Sequence, residues 1–329
     1  WLGLFFIGII ASFLFFLNIL FVLIEKLFKN QKIQININKN IIIITGCDSG
    51  FGEMLAKRLT LHGFKVIATC LTKEGAERIQ KDVALAVICN VTNPNDVANL
   101  AAKTEEYCQK EGAKVWALVN NAGIADGGAL DWTSLDVYRR VMEVNFFGLV
   151  STTKAILPFL KRNPGSRIIN LSSVAGLVSG AGITPYFASK HAVEGLAKGL
   201  REELKPWDIH VCNVNPSYMR TPILTSGMNS AKVAFEAAPK EITSEYDPSF
   251  QEAHAELMNK ASEDPIHVVN VLIDAITDKY PVMWYFPGYG SNFLRLIPLC
   301  GSGLSDFLQQ ISASKLRPIP KPEAIRKYR

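Results

Sequence analysis

Residues 41–52 read Ile-Ile-Ile-Ile-Thr-Gly-Cys-Asp-Ser-Gly-Phe-Gly. Four successive β-branched side chains leave no polar face, which is the pattern of a strand covered on both sides, as in a parallel sheet between helices. Thr45 then opens a turn with glycines at 46, 50 and 52, before a helical pattern over 52–62. Glycine lets a backbone turn sharply and approach a pyrophosphate, whose charge is favoured by the N–H groups and dipole of the helix that follows. A glycine triplet also occurs in ordinary turns. Its place between a first strand and a first helix is what points to dinucleotide binding.

Further short runs rich in Ile, Val and Leu follow at 65–69, 84–89, 115–119, 167–171 and 210–214. Amphipathic stretches at 72–81, 94–111, 134–161 and 186–205 lie between them. This alternation predicts an α/β fold, a Rossmann-like doubly wound parallel sheet with helices on both faces. Residues 217–264 break the pattern, with Pro222, Pro239 and Pro248 and no strand-like run. So long a stretch inside a compact domain reads as an irregular helical flap over a site. Its Ile223, Leu224, Met228, Phe235 and Leu257 are candidate walls for an apolar ligand, about half of them being ordinary core. A last apolar run at 282–286 predicts an edge strand.

Of the 329 residues, 48% are hydrophobic and 20% charged. That excludes a disordered or collagen-like chain and leaves ample material for a core. Lys315, Arg317, Lys321, Arg326, Lys327 and Arg329 against Glu323 carry the whole net charge of +5. The rest is formally neutral and offers no basic face for nucleic acid. The six cysteines stand singly, with no C-x-x-C pair and no histidine at ligand spacing, so no metal site is expected. Cys70, Cys89 and Cys212 fall in or at the ends of strand-like runs and read as core, and the sequons at Asn90 and Asn170 read as chance matches at buried positions.

From residue 1 to 24 there is no charge, and Ser12 and Asn18 are the appreciably polar residues. At about 1.5 Å per helical residue, that length crosses a bilayer core of about 30 Å. The run ends in Glu-Lys-Leu-Phe-Lys at 25–29, which is no cleavage site, so it reads as an N-terminal transmembrane helix. The expected organisation is an anchor at 1–24, a linker at 25–39, a nucleotide-binding domain at 40–290, and an apolar interfacial segment with a basic tail at 291–329. Lys26, Lys29, Lys32 and Lys39 favour a cytosolic domain, while the side of the membrane stays open.

The glycine spacing T-G-x-x-x-G-x-G resembles the short-chain dehydrogenase/reductase superfamily, and further marks follow in order. They are Asn120-Asn121-Ala122-Gly123 after the fourth strand, Asn145 in the next long helix, Asn170-Leu171-Ser172-Ser173, then Tyr186-Phe187-Ala188-Ser189-Lys190, and Pro216-Ser217 after the sixth strand. Oxidising an alcohol requires a proton to leave oxygen as a hydride leaves carbon. A tyrosine with its ordinary pKa near 10 is too weak a base at neutral pH. Lys190, one helical turn on, can face the same side and lower that pKa, which makes Tyr186 the candidate acid/base. The resemblance implies that Lys190 also holds the nicotinamide ribose, that Ser173 hydrogen-bonds the reacting oxygen, and that Asn145 positions a water linking Lys190 to solvent. Ser173 and Tyr186 would thus touch substrate. Ser172 would point the other way.

The same resemblance implies cofactor contacts at Thr45, Gly46, Asp48, Ser49, Gly50, Phe51 and Gly52 in the glycine turn, and at Asn90 and Val91. It adds Asn121, Ala122, Gly123, Tyr186, Lys190, Pro216 and Thr221. The acid that many NAD-binding relatives carry at the end of the second strand is missing from Ala68-Thr69-Cys70-Leu71-Thr72-Lys73. Asp48 would repel a 2′-phosphate and Lys73 would attract one. The balance favours NAD, with NADP as the alternative.

Thr45–Gly52, Cys70-Leu71-Thr72 with Gly75-Ala76-Glu77, and Trp284-Tyr285-Phe286-Pro287-Gly288, joined to an apolar N-terminus, resemble the microsomal retinol dehydrogenase and hydroxysteroid dehydrogenase branch. That implies an oxidoreductase at the endoplasmic reticulum membrane acting on a lipophilic alcohol or carbonyl, with lipid as a neighbour. A homodimer through the two long helices is common in the superfamily. The competing readings are a catalytically silent relative that binds nucleotide or lipid, and a membrane scaffold.

Overall fold

The computed structural model of the chain describes residues 32–33, 36–247, 255–256 and 258–288, together with Phe13, Phe16, Leu17 and Leu20. The remainder of the anchor at 1–24, the segment at 291–329 and the wall residue Leu257 lie outside the described residues. Among the described residues no helix is long and apolar enough to cross a membrane.

Seven strands form one parallel sheet: β1 (Asn40–Ile44), β2 (Lys65–Cys70), β3 (Leu85–Ile88), β4 (Lys114–Asn120), β5 (Arg167–Leu171), β6 (His210–Val214) and β7 (Trp284–Tyr285). Their order is β3-β2-β1-β4-β5-β6-β7, so the direction of winding reverses between β1 and β4. In open α/β sheets the crevice at that switch point, beyond the strands' carboxyl ends, is where ligands sit. The run at 282–286 supplies the edge strand β7, paired through Trp284 and Tyr285 to β6.

The helices are α1 (Gly50–Leu61), α2 (Lys73–Gln80), α3 (Pro94–Glu111), α4 (Leu135–Met142), α5 (Leu149–Lys161), α6 (Thr184–Leu204), α7 (Pro222–Ala237), α8 (Lys240–Thr243) and α9 (Ile266–Thr277). The alternating Cβ directions of a strand divide the four isoleucines of β1 between two cores. Ile42 and Ile44 join Leu55 and Leu59 of α1 and Leu272 of α9 on one face. Ile41 and Ile43 join Leu100 of α3 and Ile156 of α5 on the other. Full burial of each contributes about 1.5–3 kcal/mol.

Three local readings are corrected. The single helix expected over 134–161 is broken by a π-turn at Glu143–Gly148. The flap is not irregular throughout, since Pro222, whose missing N–H suits a first helical turn, opens the sixteen-residue α7. Of the two sequon asparagines, Asn170 is buried, but Asn90 is only half-buried, its Oδ1 accepting from Thr92 N at 3.1 Å.

The chain enters the domain at the opposite end from the switch point. Lys32 Nζ pairs with Asp274 at 2.8 Å and Asp278 at 2.6 Å, and Ile33 N donates to Thr277 O at 2.9 Å, all at the C-terminal end of α9. That end is held by Arg167, the first residue of β5, which is 0% exposed. Its Nη1 donates to the carbonyls of Ala275 at 3.0 Å, Ile276 at 2.6 Å and Asp278 at 3.0 Å, and its guanidinium lies 4.5 Å from the Trp116 ring.

Candidate active site

The glycine turn is built to bring backbone close to something. Gly46 (φ +71°) and Gly50 (φ +62°) adopt the left-handed region that favours glycine. A Cβ on Gly46 would lie 2.8 Å from Ala122 Cα, and one on Gly52 would lie 2.3 Å from Gly46 O. A Cβ on Gly50 would instead meet only ordinary contacts, with Thr221 at 3.9 Å and Pro222 at 4.0 Å. α1 begins there without a side-chain cap from Ser49, so its first N–H groups point into the cleft. This cradle fits the phosphates of a dinucleotide.

Thr45 Oγ1 accepts from the backbone N of both Asn121 and Ala122 at 3.0 Å, and Asn121 Nδ2 donates to the carbonyls of Thr45 and Gly46 at 2.8 Å. These bonds lock the loops after β1 and β4 together across the switch point. Asp48 leaves the turn and caps the end of β2. Its Oδ2 accepts from Leu71 N at 2.7 Å, and its Oδ1 accepts from Thr72 N at 3.0 Å and Thr72 Oγ1 at 2.7 Å.

One cavity of about 1220 Å³ is lined by Gly46, Asp48, Ser49, Gly50 and Phe51, by Asn90 and Val91, and by Asn121, Ala122 and Gly123. Pro216, Thr221, Ser173, Tyr186 and Lys190 complete that wall. Sites for a single small molecule span roughly 300–1,000 Å³, so this one has room for a nucleotide and a second ligand. Thr45, Gly52 and Asn145 do not line it. They stand behind the wall and shape it.

At the far side, α6 opens with Pro185 in its first turn and carries Tyr186 and Lys190 one turn apart. Ser173 hydrogen-bonds the Tyr186 phenol, and the Lys190 Nζ lies 5.5 Å from the centre of the Tyr186 ring. Lys190 Nζ also donates to Leu171 O at 2.7 Å. Burial pushes the phenol up to about 12, against the bond from Ser173. Burial brings Lys190 down to about 8, against the nearby charge of Glu194. Burial dominates both groups, raising the phenol and lowering the ammonium.

Asn145 sits in the π-turn, 1% exposed. Its Oδ1 accepts from Ile124 N at 2.8 Å, and its Nδ2 donates to Ile124 O at 2.9 Å and Ser189 Oγ at 3.0 Å. A Cβ on Gly123 would lie 3.3 Å from Asn145 Oδ1 and 3.8 Å from Lys190 Nζ, so both groups converge on that glycine.

The flap closes the remaining side. Ile223, Leu224, Met228 and Phe235 line the cavity. Asp126 holds α7 to the core by accepting from Ser230 and from Arg140 of α4. Trp132 meets Phe235 edge-on at 5.1 Å and Tyr246 at 4.9 Å, an arrangement that adds about 0.5–1.5 kcal/mol per pair. Asp126, Trp132 and Tyr218, which also lines the cavity, escaped the sequence reading. Nothing in their local spacing marks them, because they come together only through the fold.

The sequence pattern described as short chain dehydrogenase matches residues 40–231. The chain is 32% identical over 293 residues to 17-beta-hydroxysteroid dehydrogenase type 6 of Bos taurus, covering 85% of this chain and 91% of that protein. It is 33% identical over 266 residues to retinol dehydrogenase 5 of Mus musculus, covering 78% and 82%. Its fold is similar to the crystal structure of 3-ketoacyl-(acyl-carrier-protein) reductase from Brucella melitensis complexed with NADH. The TM-score is 0.61 at 27% identity, covering 77% of this chain and 98% of that one.

Proposed function

This chain belongs to the short-chain dehydrogenase family, and from that premise we propose a membrane-anchored enzyme moving a hydride between NAD(H) and a lipophilic alcohol or carbonyl of retinoid or hydroxysteroid type. The observation that carries the reading is one apolar cavity with the glycine cradle at one side and Ser173, Tyr186 and Lys190 together at the other. An NAD(P) cofactor, when bound, supplies the hydride acceptor or donor.

The chain's own residues do the rest. The turn at 46–52 and the start of α1 hold the phosphates, with Asn90 and Val91 on the adenine side. Ser173 fixes the reacting oxygen by a hydrogen bond. Tyr186 hands that oxygen a proton in reduction and takes one from it in oxidation. A phenol held up to about 12 keeps its proton at neutral pH, the form an acid needs, and its basic form grows as pH rises. Lys190 carries positive charge beside the phenol below about 8. Asn145 and Ser189 brace the floor behind Lys190, and the α7 flap excludes water. The likeness to a hydroxysteroid dehydrogenase and a retinol dehydrogenase supports a lipophilic substrate, as do the apolar side chains of the flap. A screen of retinol, 3- and 17-hydroxysteroids and simple alcohols with NAD and NADP, read by reduced-nicotinamide absorbance, tests this. Turnover confined to small polar alcohols would overturn it.

The carboxylate missing from the end of β2 is supplied from the glycine turn, since Asp48 reaches that point and caps Leu71 and Thr72. A negative charge there welcomes ribose hydroxyls and repels a 2′-phosphate, which selects NAD(H). Asp48→Asn is expected to lower the ratio of kcat/KM for NAD over NADP by about tenfold, or about 1.4 kcal/mol. An unchanged ratio would remove Asp48 from the selection.

The uncharged stretch at 1–24 supports a single anchor in the endoplasmic reticulum membrane. The full chain is expected to stay with membranes after a high-salt wash and to leave them only with detergent. Release by salt alone would contradict the anchor.

A further inference from the structure

Glu194 lies one turn beyond Lys190 on α6 and is 4% exposed, a carboxylate inside the domain. Its Oε1 accepts from Asn215 Nδ2 at 2.7 Å and its Oε2 from Trp284 Nε1 at 2.8 Å. Two oxygens facing two N–H donors suit a carboxylate and not a carboxylic acid, whose proton would meet a donor. Buried charge persists only where such partners satisfy it. Asn215 Nδ2 donates at the same time to the backbone O of Ser173 at 3.1 Å, and Asn215 is 0% exposed. A single buried amide therefore joins Glu194 to the residue that hydrogen-bonds the Tyr186 phenol.

Glu194 is also packed against the turn after β5. A Cβ on Gly176 would lie 2.9 Å from Glu194 Cγ and 2.8 Å from Lys190 O. The charged and titratable groups around it come from each neighbouring element. Lys190 and Arg201 stand on its own helix, and Glu194 favours the charged form of both. Cys212 of β6 lies beside Arg201, while the β7 and post-β6 contacts, Trp284 and Asn215, are neutral.

We infer that Glu194 is a positioning residue of this site, fixing the Ser173 backbone through Asn215 and holding Lys190 as an ammonium. The inference rests on the reading of Ser173, Tyr186 and Lys190 as the reacting set. It makes two separable claims. One is geometric and runs through Asn215 to Ser173. The other is electrostatic and runs along one turn of α6 to Lys190, whose charged form the Glu194 carboxylate favours. In carbonyl reduction, where the phenol donates its proton, an ammonium of Lys190 that supports Tyr186 makes the rate fall on the alkaline side as the ammonium proton is lost. Removing the Glu194 charge moves the fall to lower pH, because the ammonium then loses its stabilising partner.

The test uses the full chain in detergent micelles, with kcat and KM measured from pH 6 to 10 for reduction, by NADH, of the carbonyl compound matching the best alcohol of the screen. Glu194→Gln is expected to move the alkaline limb of kcat down by about one pH unit. Glu194→Asp keeps the charge and should leave that limb in place. Asn215→Ala cuts the link to Ser173 and keeps the charge, so kcat should fall about tenfold, as small misplacements of reacting groups do, with the limb unmoved and the cofactor KM within about twofold. A Glu194→Gln enzyme with the wild-type profile overturns the electrostatic claim. Wild-type kcat in Asn215→Ala overturns the geometric one, whether or not Glu194→Gln folds. Tyr186→Phe is assayed beside them. Its keeping full turnover would overturn the reacting set itself, whereas its inactivity combined with unaltered Glu194 and Asn215 variants would overturn this inference alone.

Discussion

Tyr186→Phe is expected to lower kcat by about a thousandfold, within the 10²–10⁴ that a positioned acid or base contributes. The variant removes one oxygen from a ring already seated against Lys190 and hydrogen-bonded by Ser173, and it leaves the glycine cradle untouched. Affinity for NADH should therefore stay within about threefold, a change under 1 kcal/mol. The two readouts separate an enzyme from a silent binding relative of the same fold. Titration of NADH fluorescence gives the affinity, and single-turnover absorbance gives the chemistry. Retained turnover would move the acid/base role elsewhere, and lost NADH binding would mean that the substitution disturbed the cleft itself.

Arg167→Met is expected to cost about 3–5 kcal/mol of stability, since it leaves the buried carbonyls of Ala275 and Asp278 without this donor at about 1–3 kcal/mol each, while Ile276 O keeps its bond from Trp116 Nε1. The guanidinium serves three carbonyls at the C-terminal end of α9, which have no intrahelical partner, and a cation is favoured there by the helix dipole. Methionine fills much of the volume against Trp116 but donates nothing. For a domain of this size the loss corresponds to a fall in Tm of about 10 °C. Burial already depresses the Arg167 pKa to about 10, so the guanidinium is held at a desolvation cost that the three bonds offset. A thermal midpoint within about 2 °C of wild type would show that water or a rearranged helix end replaces them. Kinetics at low temperature should be nearly normal, since Arg167 lies at the opposite end of β5 from Ser173.

The sheet was legible because its strands are apolar on both faces, and the candidate site was legible where its residues lie close in sequence. Tyr186 with Lys190 is one helical turn, and Gly46, Gly50 and Gly52 form one loop. What escaped needs either an irregularity or a long reach. The π-turn at Glu143–Gly148 widens a helix by one residue per turn and leaves no trace in composition. The flap was read as helical but irregular because of Pro222, Pro239 and Pro248, so the unbroken run of α7 was not legible. Asp48 was read as repelling a 2′-phosphate from its place in the glycine turn, but the crossing of its side chain to Leu71 and Thr72, twenty-three and twenty-four positions on, was not legible. Spacing placed Lys190 beside Tyr186 but said nothing about how dry the pair is, and it is burial that moves both groups. Glu194 stood in plain spacing after Lys190, yet its donors, Asn215 and Trp284, belong to other strands' ends.

The salt links of Lys32 to Asp274 and Asp278 fasten the start of the domain to the end of α9, and the candidate site opens at the other pole of the sheet. Five-residue strands at about 3.3 Å per residue put roughly 16 Å between the two. A pull on the chain ahead of Lys32 is therefore taken up by α9 and its clasp on Arg167, not by the flap.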